Sequence, residues 1–218
     1  MTRDILTKKI EKVQARTEES ARNYIGASVI GSECLRQIWY ELHETIAEEV
    51  PTKTRRTWAI GKRLEGLVLD WLEEAGIKIA RVWYGLQSNI VKVFKGHLDS
   101  VWFDKNGEAK AIIEVKTAKD ASFKVFVKKG VKLWNPQYYA QIQSYMGMSG
   151  IFNTYILVLN KDNSDISDEL VSFDAKYYGS LENKALMISE AKTMPPKING
   201  SPLWYQCKMC KFRKICHQ

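Results

Sequence analysis

The sequence predicts an α/β domain, and three observations carry the prediction. Apolar residues follow a helical period up to Gly76 and a strand-like one from 77 to 117; the helical period returns after Asn135-Pro136. Within the strand-like part, Asp99 and the run Glu114-Val115-Lys116 set ionisable side chains among apolar ones. A length of 218 residues fits one such domain with a sizeable core.

In chain order, residues 3–23 are polar with apolar points at Ile5, Leu6, Ile10 and Val13, a peripheral helix. Ser28 to Gly31 makes a break, and Ser32 caps a second helix running to 48. After Pro51, Thr57 caps a third helix through Trp58, Leu64, Val68 and Leu72, stopped by Gly76. Residues 77–88, 90–104 and 109–117 read as three consecutive strands, with Lys105-Asn106-Gly107 as the turn between the second and third. Residues 123–133 are basic and β-prone, an irregular edge. Asn135-Pro136 opens a helix over 136–148, with proline in its first turn. Residues 152–159 and 165–173 are further strands, and 175–193 a last helix before Pro195-Pro196 and a Cys-rich tail. The expected organisation is one domain, 1–218: N-terminal helices over 1–50, a core over 51–193 and a metal-binding tail over 194–218.

Hydrophobic residues make up 45% of the chain, with seven Trp and ten Tyr, which excludes disorder over most of the length. No apolar run approaches the roughly 20 residues of a membrane span. Met1-Thr2-Arg3-Asp4-Ile5 lacks the apolar stretch of a signal peptide, so the expectation is a soluble, cytoplasmic protein. Thirty-three Lys and Arg against 25 Asp and Glu give a net charge of +8, which favours a polyanion partner.

Successive strand residues point to opposite faces, so Glu114 and Lys116 share one face, with Ile112 next in register. Carboxylates and an amine in an apolar sheet are costly unless they bind a cation or a substrate. The competing reading of the pair alone is an ordinary Glu–Lys contact on a solvated strand. Asp99 and Glu114 offer the hard oxygen ligands that Mg²⁺ or Mn²⁺ takes, the Val115 carbonyl offers another, and Lys116 suits the attacking water and the developing charge. The pattern suggests phosphodiester hydrolysis. Gly96, three residues before Asp99, permits close approach of another group. Gln141 and Tyr145, at i and i+4, share one face of the helix that follows.

Four segments in order, Gly61-Lys62-Arg63-Leu64-Glu65, Gly96-His97-Leu98-Asp99, Glu114-Val115-Lys116 and Gln141-Ile142-Gln143-Ser144-Tyr145, resemble the motifs of the PD-(D/E)XK nucleases. Within that superfamily the likeness is to the RecB/AddB-type branch, including lambda-exonuclease-like enzymes and the iron–sulfur nucleases of CRISPR spacer acquisition. The resemblance implies a restriction-endonuclease-like core, a central mixed sheet flanked by helices. It implies that Asp99 and Glu114 bind metal, that Lys116 is catalytic, and that Gln141 and Tyr145 support the site and contact DNA. Glu65 stands where this branch often carries a metal-binding His and lambda-type relatives carry Glu. It is a candidate ligand whose mode of binding stays open.

Cys207, Cys210 and Cys216 form a C-x₂-C-x₅-C tail, and Cys34 is the remaining cysteine of four. In a reducing compartment this set favours metal over disulfide. Three clustered thiolates with one from far upstream point to a [4Fe–4S] cluster ahead of structural zinc. Ser32-Glu33-Cys34-Leu35-Arg36-Gln37-Ile38-Trp39-Tyr40 also resembles the N-terminal Cys–Arg–aromatic helix of the iron–sulfur nucleases. Such a link staples the two ends of the chain.

Lys124, Lys128, Lys129 and Lys132 interleave with Phe123, Phe126 and Trp134, which suits single-stranded DNA through phosphate attraction and base stacking; the alternative is a solvated edge guarded by lysines. Lys53, Arg55, Arg56, Lys62 and Arg63 form a second basic group around Glu65. Arg36 is a candidate for a DNA phosphate or for a carbonyl beside the cluster. The expectation is a Mg²⁺- or Mn²⁺-dependent DNA exonuclease, prokaryotic or phage-encoded, acting on ends or single strands. The competing function is a DNA-binding partner subunit in a recombination or CRISPR-adaptation complex, with weak nuclease activity.

Overall fold

The computed structural model describes residues 5–14, 22–43, 45–81 and 85–218. In chain order its elements are α1 (Ile5–Gln14), β1 (Ile25–Gly26), α2 (Ala27–Ile30), α3 (Leu35–Leu42), α4 (Thr52–Glu74), β2 (Ile79–Ala80), β3 (Gly85–Gln87), β4 (Phe94–His97), β5 (Ser100–Phe103) and β6 (Ala109–Ala118). They continue with α5 (Asp120–Trp134), α6 (Pro136–Ser149), β7 (Asn153–Asn160), β8 (Ile166–Ser172), α7 (Ala175–Ser189), α8 (Tyr205–Met209) and α9 (Arg213–Cys216).

Five strands form a mixed sheet in the order β2-β5-β6-β7-β8. β6 and β7 are parallel, joined through α5 and α6, while β5–β6 and β7–β8 are antiparallel. Alternation along β6 divides the core into two layers. Ile112 and Ala118 pack with Ile142, Met146, Ile156 and Val158 beneath α6, and Ile113 and Val115 pack with Val68, Leu69, Leu157 and Leu159 beneath α4. The expected mixed sheet flanked by helices is present.

Several boundaries differ from expectation. The run 90–104 is two strands in two sheets: β4 belongs to a small sheet of order β1-β4-β3, and β5 to the large one. The chain changes sheets at Leu98-Asp99. The run 77–88 contributes only the short β2 and β3, and residues 82–84 lie outside the described ones. Ser28 to Gly31, read as a break, falls mostly in the helical turn α2, and α3 ends at Leu42 instead of 48. α4 starts directly after Pro51, five residues before Thr57, with the Pro51 carbonyl accepting from Thr54 N at 2.8 Å. Thr57 Oγ1 instead donates to the Lys53 carbonyl within the helix (3.1 Å).

The largest correction concerns 123–133, which is helix α5 rather than an edge strand. Phe123, Phe126 and Val131 are buried while Lys124, Lys128, Lys129 and Lys132 are exposed, a helical stripe that its valines disguised. α5 breaks at Gly130, whose φ of +70° is a glycine conformation. The Glu169 carboxylate of β8 fills the break, lying 2.9 Å from where a Gly130 Cβ would stand and accepting from Val131 N at 2.6 Å. The expected start of α6 is met: Asn135 Oδ1 accepts from Gln137 N and Tyr138 N. Among the described residues, no helix is long and apolar enough to cross a membrane.

Candidate active site and cysteine cavity

The β5–β6 ladder begins at the pair Ser100–Ile113, so Asp99 and Glu114 lie side by side just beyond its last rung. From there to Ala118, β6 is paired among the described residues only with β7, which opens its other edge to the site. Glu114 is fully buried; Lys116 Nζ lies 2.5 Å from its Oε1, and its Oε2 has no hydrogen-bond partner among the described residues. Burial pushes the Glu114 carboxyl up, Lys116 opposes the rise, and the Asp99 charge adds to it. Burial acts to lower the Lys116 amine, but Glu114 outweighs it and the amine is raised.

Glu65 and Lys62 reach the same place from α4. Lys62 Nζ stands 2.9 Å from Glu65 Oε1 and 3.5 Å from Asp99 Oδ1, a cation between two carboxylates. Burial raises the Glu65 carboxyl; Lys62 counters it, while Asp99 and Glu114 push it further up. Three carboxylates crowd one another, with one ammonium among them and a second against Glu114.

α6 supplies the wall. Gln141 Nε2 donates to the Tyr145 hydroxyl at 2.7 Å, and both side chains are buried. Burial and then the Glu114 charge raise the Tyr145 phenol well above its ordinary range, so it remains protonated. The Tyr145 ring packs on Gly96, where an added Cβ would meet Cε1 at 2.8 Å. That close approach is what a glycine at this position permits. Lys116 Nζ lies over the Tyr138 ring, 4.6 Å from its centre.

Among the described residues, no three His, Cys, Asp or Glu side chains are gathered as a ready-made single-ion site. The donor set nonetheless fits a hard divalent cation. Glu114 Oε2 is buried and unpartnered, Asp99 and Glu65 are held by an ammonium, and all the donors are oxygens. Val115 sits on the open stretch of β6 with its side chain in the α4 layer. Sequence reading missed the counter-ion position of Lys62 and the place of Tyr138. The second had a signal: 138, 141 and 145 are i, i+3 and i+7, one helix face.

The other candidates lie further off. Lys124 pairs with Asp120 at 2.7 Å, Lys132 Nζ lies 5.0 Å from the Tyr139 ring centre, and Lys128 and Lys129 are exposed on α5. Phe123 and Phe126, expected among the stacking aromatics, are core residues. Arg36 Nε donates to the Pro195 carbonyl at 2.6 Å, and its Nη1 lies 4.0 Å from Cys216 Sγ.

Cys34, Cys207, Cys210 and Cys216 all line one cavity, with Arg36, Tyr40 and His217 in its wall. Burial raises the Cys207 thiol, with the Cys34 and Cys216 charges adding to it. Burial pushes Cys210 up to about 11, against the Phe212 N–H that donates to its sulfur at 3.4 Å. The tail is tied to the N-terminal helices by buried Glu41, 2.8 Å from Lys211 Nζ, and by Phe212 packed against Tyr40. Ends far apart in sequence thus meet before any metal is considered.

Similar folds occur in solved structures. The alkaline exonuclease LHK-Exo from Laribacter hongkongensis, in complex with dAMP, superposes with a TM-score of 0.60 at 14% identity, over 84% of this chain and 90% of that one. SSO0001 superposes with a TM-score of 0.60 at 20% identity, over 97% and 93%. A phage-related exonuclease from Haemophilus somnus gives 0.51 at 13%, over 71% and 77%. At these identities the likeness establishes the fold. No curated protein matches in sequence. The family model for the YqaJ-like viral recombinase domain matches residues 15–151, which include Glu65, Asp99, Glu114, Lys116, Gln141 and Tyr145 and stop short of the three tail cysteines. The chain belongs to the YqaJ-like viral recombinase domain family.

Proposed function

We propose that the protein is a divalent-metal-dependent DNA exonuclease serving recombination of phage or related DNA. The observation that carries the reading is the buried Glu114, with one oxygen on Lys116 and the other unpartnered beside Asp99. The family and the exonucleases of similar fold support it.

Asp99 and Glu114 would hold Mg²⁺ or Mn²⁺, with Glu65 and the Val115 carbonyl completing the oxygen set. The ion, when bound, supplies Lewis acidity to the scissile phosphate and acidity to the attacking water. Lys116, anchored by Glu114 and steadied by the Tyr138 ring, orients the water and offsets the charge that develops on phosphorus oxygens. Gln141 and Tyr145 would wall the site: Gln141 donates to the phenol, which stays protonated, and the Tyr145 ring packs on Gly96. Lys124, Lys128, Lys129 and Lys132 present charge to the DNA backbone without base readout.

The four cysteines would hold a [4Fe–4S] cluster, which supplies a covalent staple between the ends of the chain. Support comes from four thiols around one cavity, an N–H directed at Cys210, and the Arg36 guanidinium at Cys216. Zinc is the competing occupant. Anaerobically purified protein is expected to carry iron and sulfide and to absorb in the visible, with the absorbance lost in Cys210→Ala; zinc without sulfide overturns the cluster. The nuclease reading is tested by digesting end-labelled single- and double-stranded DNA with Mg²⁺, Mn²⁺ or EDTA. Shortening from an end that stops in EDTA supports it. DNA binding that persists without cleavage in any metal favours a non-catalytic subunit.

A further inference from the structure

An open groove of about 450 Å³ adjoins the candidate active site and is not used by the chemistry above. Thr117, Lys119, Ser122, Trp134, Tyr138 and Lys161 are among its walls. It connects to the site through Tyr138, whose ring carries Lys116, and through Thr117, the next residue on β6. Its floor is the pair of C-terminal ends of parallel β6 and β7, where α/β sheets commonly bind ligands. Lys119 and Lys161 each follow one of these strands closely, and Lys161 N donates to the Ala118 carbonyl at 2.9 Å. The two ammonium groups therefore arise from a fixed pair of strand ends.

The surrounding charges leave these lysines available. Asp120 is held by Lys124 at 2.7 Å and by Asn160 Nδ2 at 3.0 Å, and Asp162 accepts from Asp120 N at 2.9 Å. Among the described residues, neither Lys119 nor Lys161 is paired with a carboxylate, and both are exposed. The aromatic wall is rigid: Trp134 Nε1 donates to Ser122 Oγ at 2.8 Å, and its ring packs against Phe126 and Tyr138 with centres 5.2 and 5.4 Å away.

We propose that this groove is a nucleotide subsite for the DNA strand being cut, holding the phosphate next to the scissile one between Lys119 and Lys161 and the neighbouring base against Trp134. The proposal rests on the nuclease reading and deepens it. Two acceptors in the groove are already engaged: Asn135 Oδ1 by Gln137 N and Tyr138 N, and Ser122 Oγ by the indole. The phosphate and stacking contacts themselves are indifferent to sequence.

The test compares wild type, Lys119→Met/Lys161→Met, the charge-preserving Lys119→Arg/Lys161→Arg, and Trp134→Leu. KM and kcat are measured on a single-stranded oligonucleotide with Mg²⁺, and affinity against salt with Ca²⁺. The Met pair is expected to raise KM roughly tenfold, more than kcat falls, and to flatten the salt dependence by about one unit of slope. The Arg pair is expected to restore both, and Trp134→Leu to weaken binding without changing the salt slope. Unchanged KM and salt slope in a folded Met pair overturn the subsite while leaving the nuclease reading standing. A wild type that neither binds nor cuts DNA overturns both.

Discussion

Lys116 Nζ lies 2.5 Å from Glu114 Oε1, while the other oxygen of Glu114 is buried with no hydrogen-bond partner among the described residues. A half-satisfied buried carboxylate is a cost to the fold, tolerable where a cation completes it. The two members of the pair should therefore respond differently to removal. Lys116→Met strands a buried charge and is expected to cost about 3–5 kcal/mol in metal-free protein at neutral pH, less if Glu114 takes up a proton. Glu114→Gln leaves the Lys116 ammonium without its carboxylate, but Lys116 is the more exposed partner (side chain 17% against 1%) and lies over the Tyr138 ring, so the loss of stability should be smaller. Both are expected to lose roughly 10²-fold or more in cleavage. Denaturant midpoints alongside turnover check this; equal destabilisation by both would contradict it.

Lys62 occupies the space between Glu65 and Asp99 that a divalent ion would share. Its ammonium and the ion compete for the same oxygens. Lys62→Met is expected to tighten Mn²⁺ binding several-fold by calorimetric titration, on the order of the tenfold that 1.4 kcal/mol represents. Weaker binding in the variant would make Lys62 a support of the site instead of a competitor.

Carboxylate crowding also sets a pH dependence. Burial raises both Glu65 and Glu114 above their ordinary value of 4.5. Between that value and the raised ones, the folded protein holds protons that the unfolded chain releases. Stability is therefore present at the low end of this window, falls as pH rises through it, and is not regained above it. Metal-free protein should show this contribution as pH rises above about 4.5, and Mg²⁺ should reduce it. Comparing Tm against pH for wild type and Glu65→Gln/Glu114→Gln isolates the effect. An identical slope in the two would remove these carboxylates as its source.

The sequence made some parts of this arrangement legible and hid others. Glu114 and Lys116 share a face because strand alternation is a local rule, and Gln141 and Tyr145 do so because helix spacing is equally local. Gly96 announced a close approach, though not that the ring would be Tyr145. What failed depended on distant partners. Residues 90–104 read as one strand because nothing local marks the passage from one sheet to another at Leu98-Asp99. Residues 123–133 read as β because valines outweighed a helical stripe that became visible once Phe123, Phe126 and Val131 were buried together. Lys62, at i and i+3 from Glu65, had a local signal for that contact but none for Asp99.

Cleavage of end-labelled DNA by wild type and Asp99→Ala, with Mg²⁺ or Mn²⁺, tests the central claim most directly. Asp99 holds Lys62 at an exposed edge and is not a core residue, so the variant should fold and keep the properties of its cysteine cavity. The account predicts metal-dependent digestion by wild type and a loss of roughly 10²-fold or more in the variant. Digestion by folded, well-purified Asp99→Ala at the wild-type rate would contradict it.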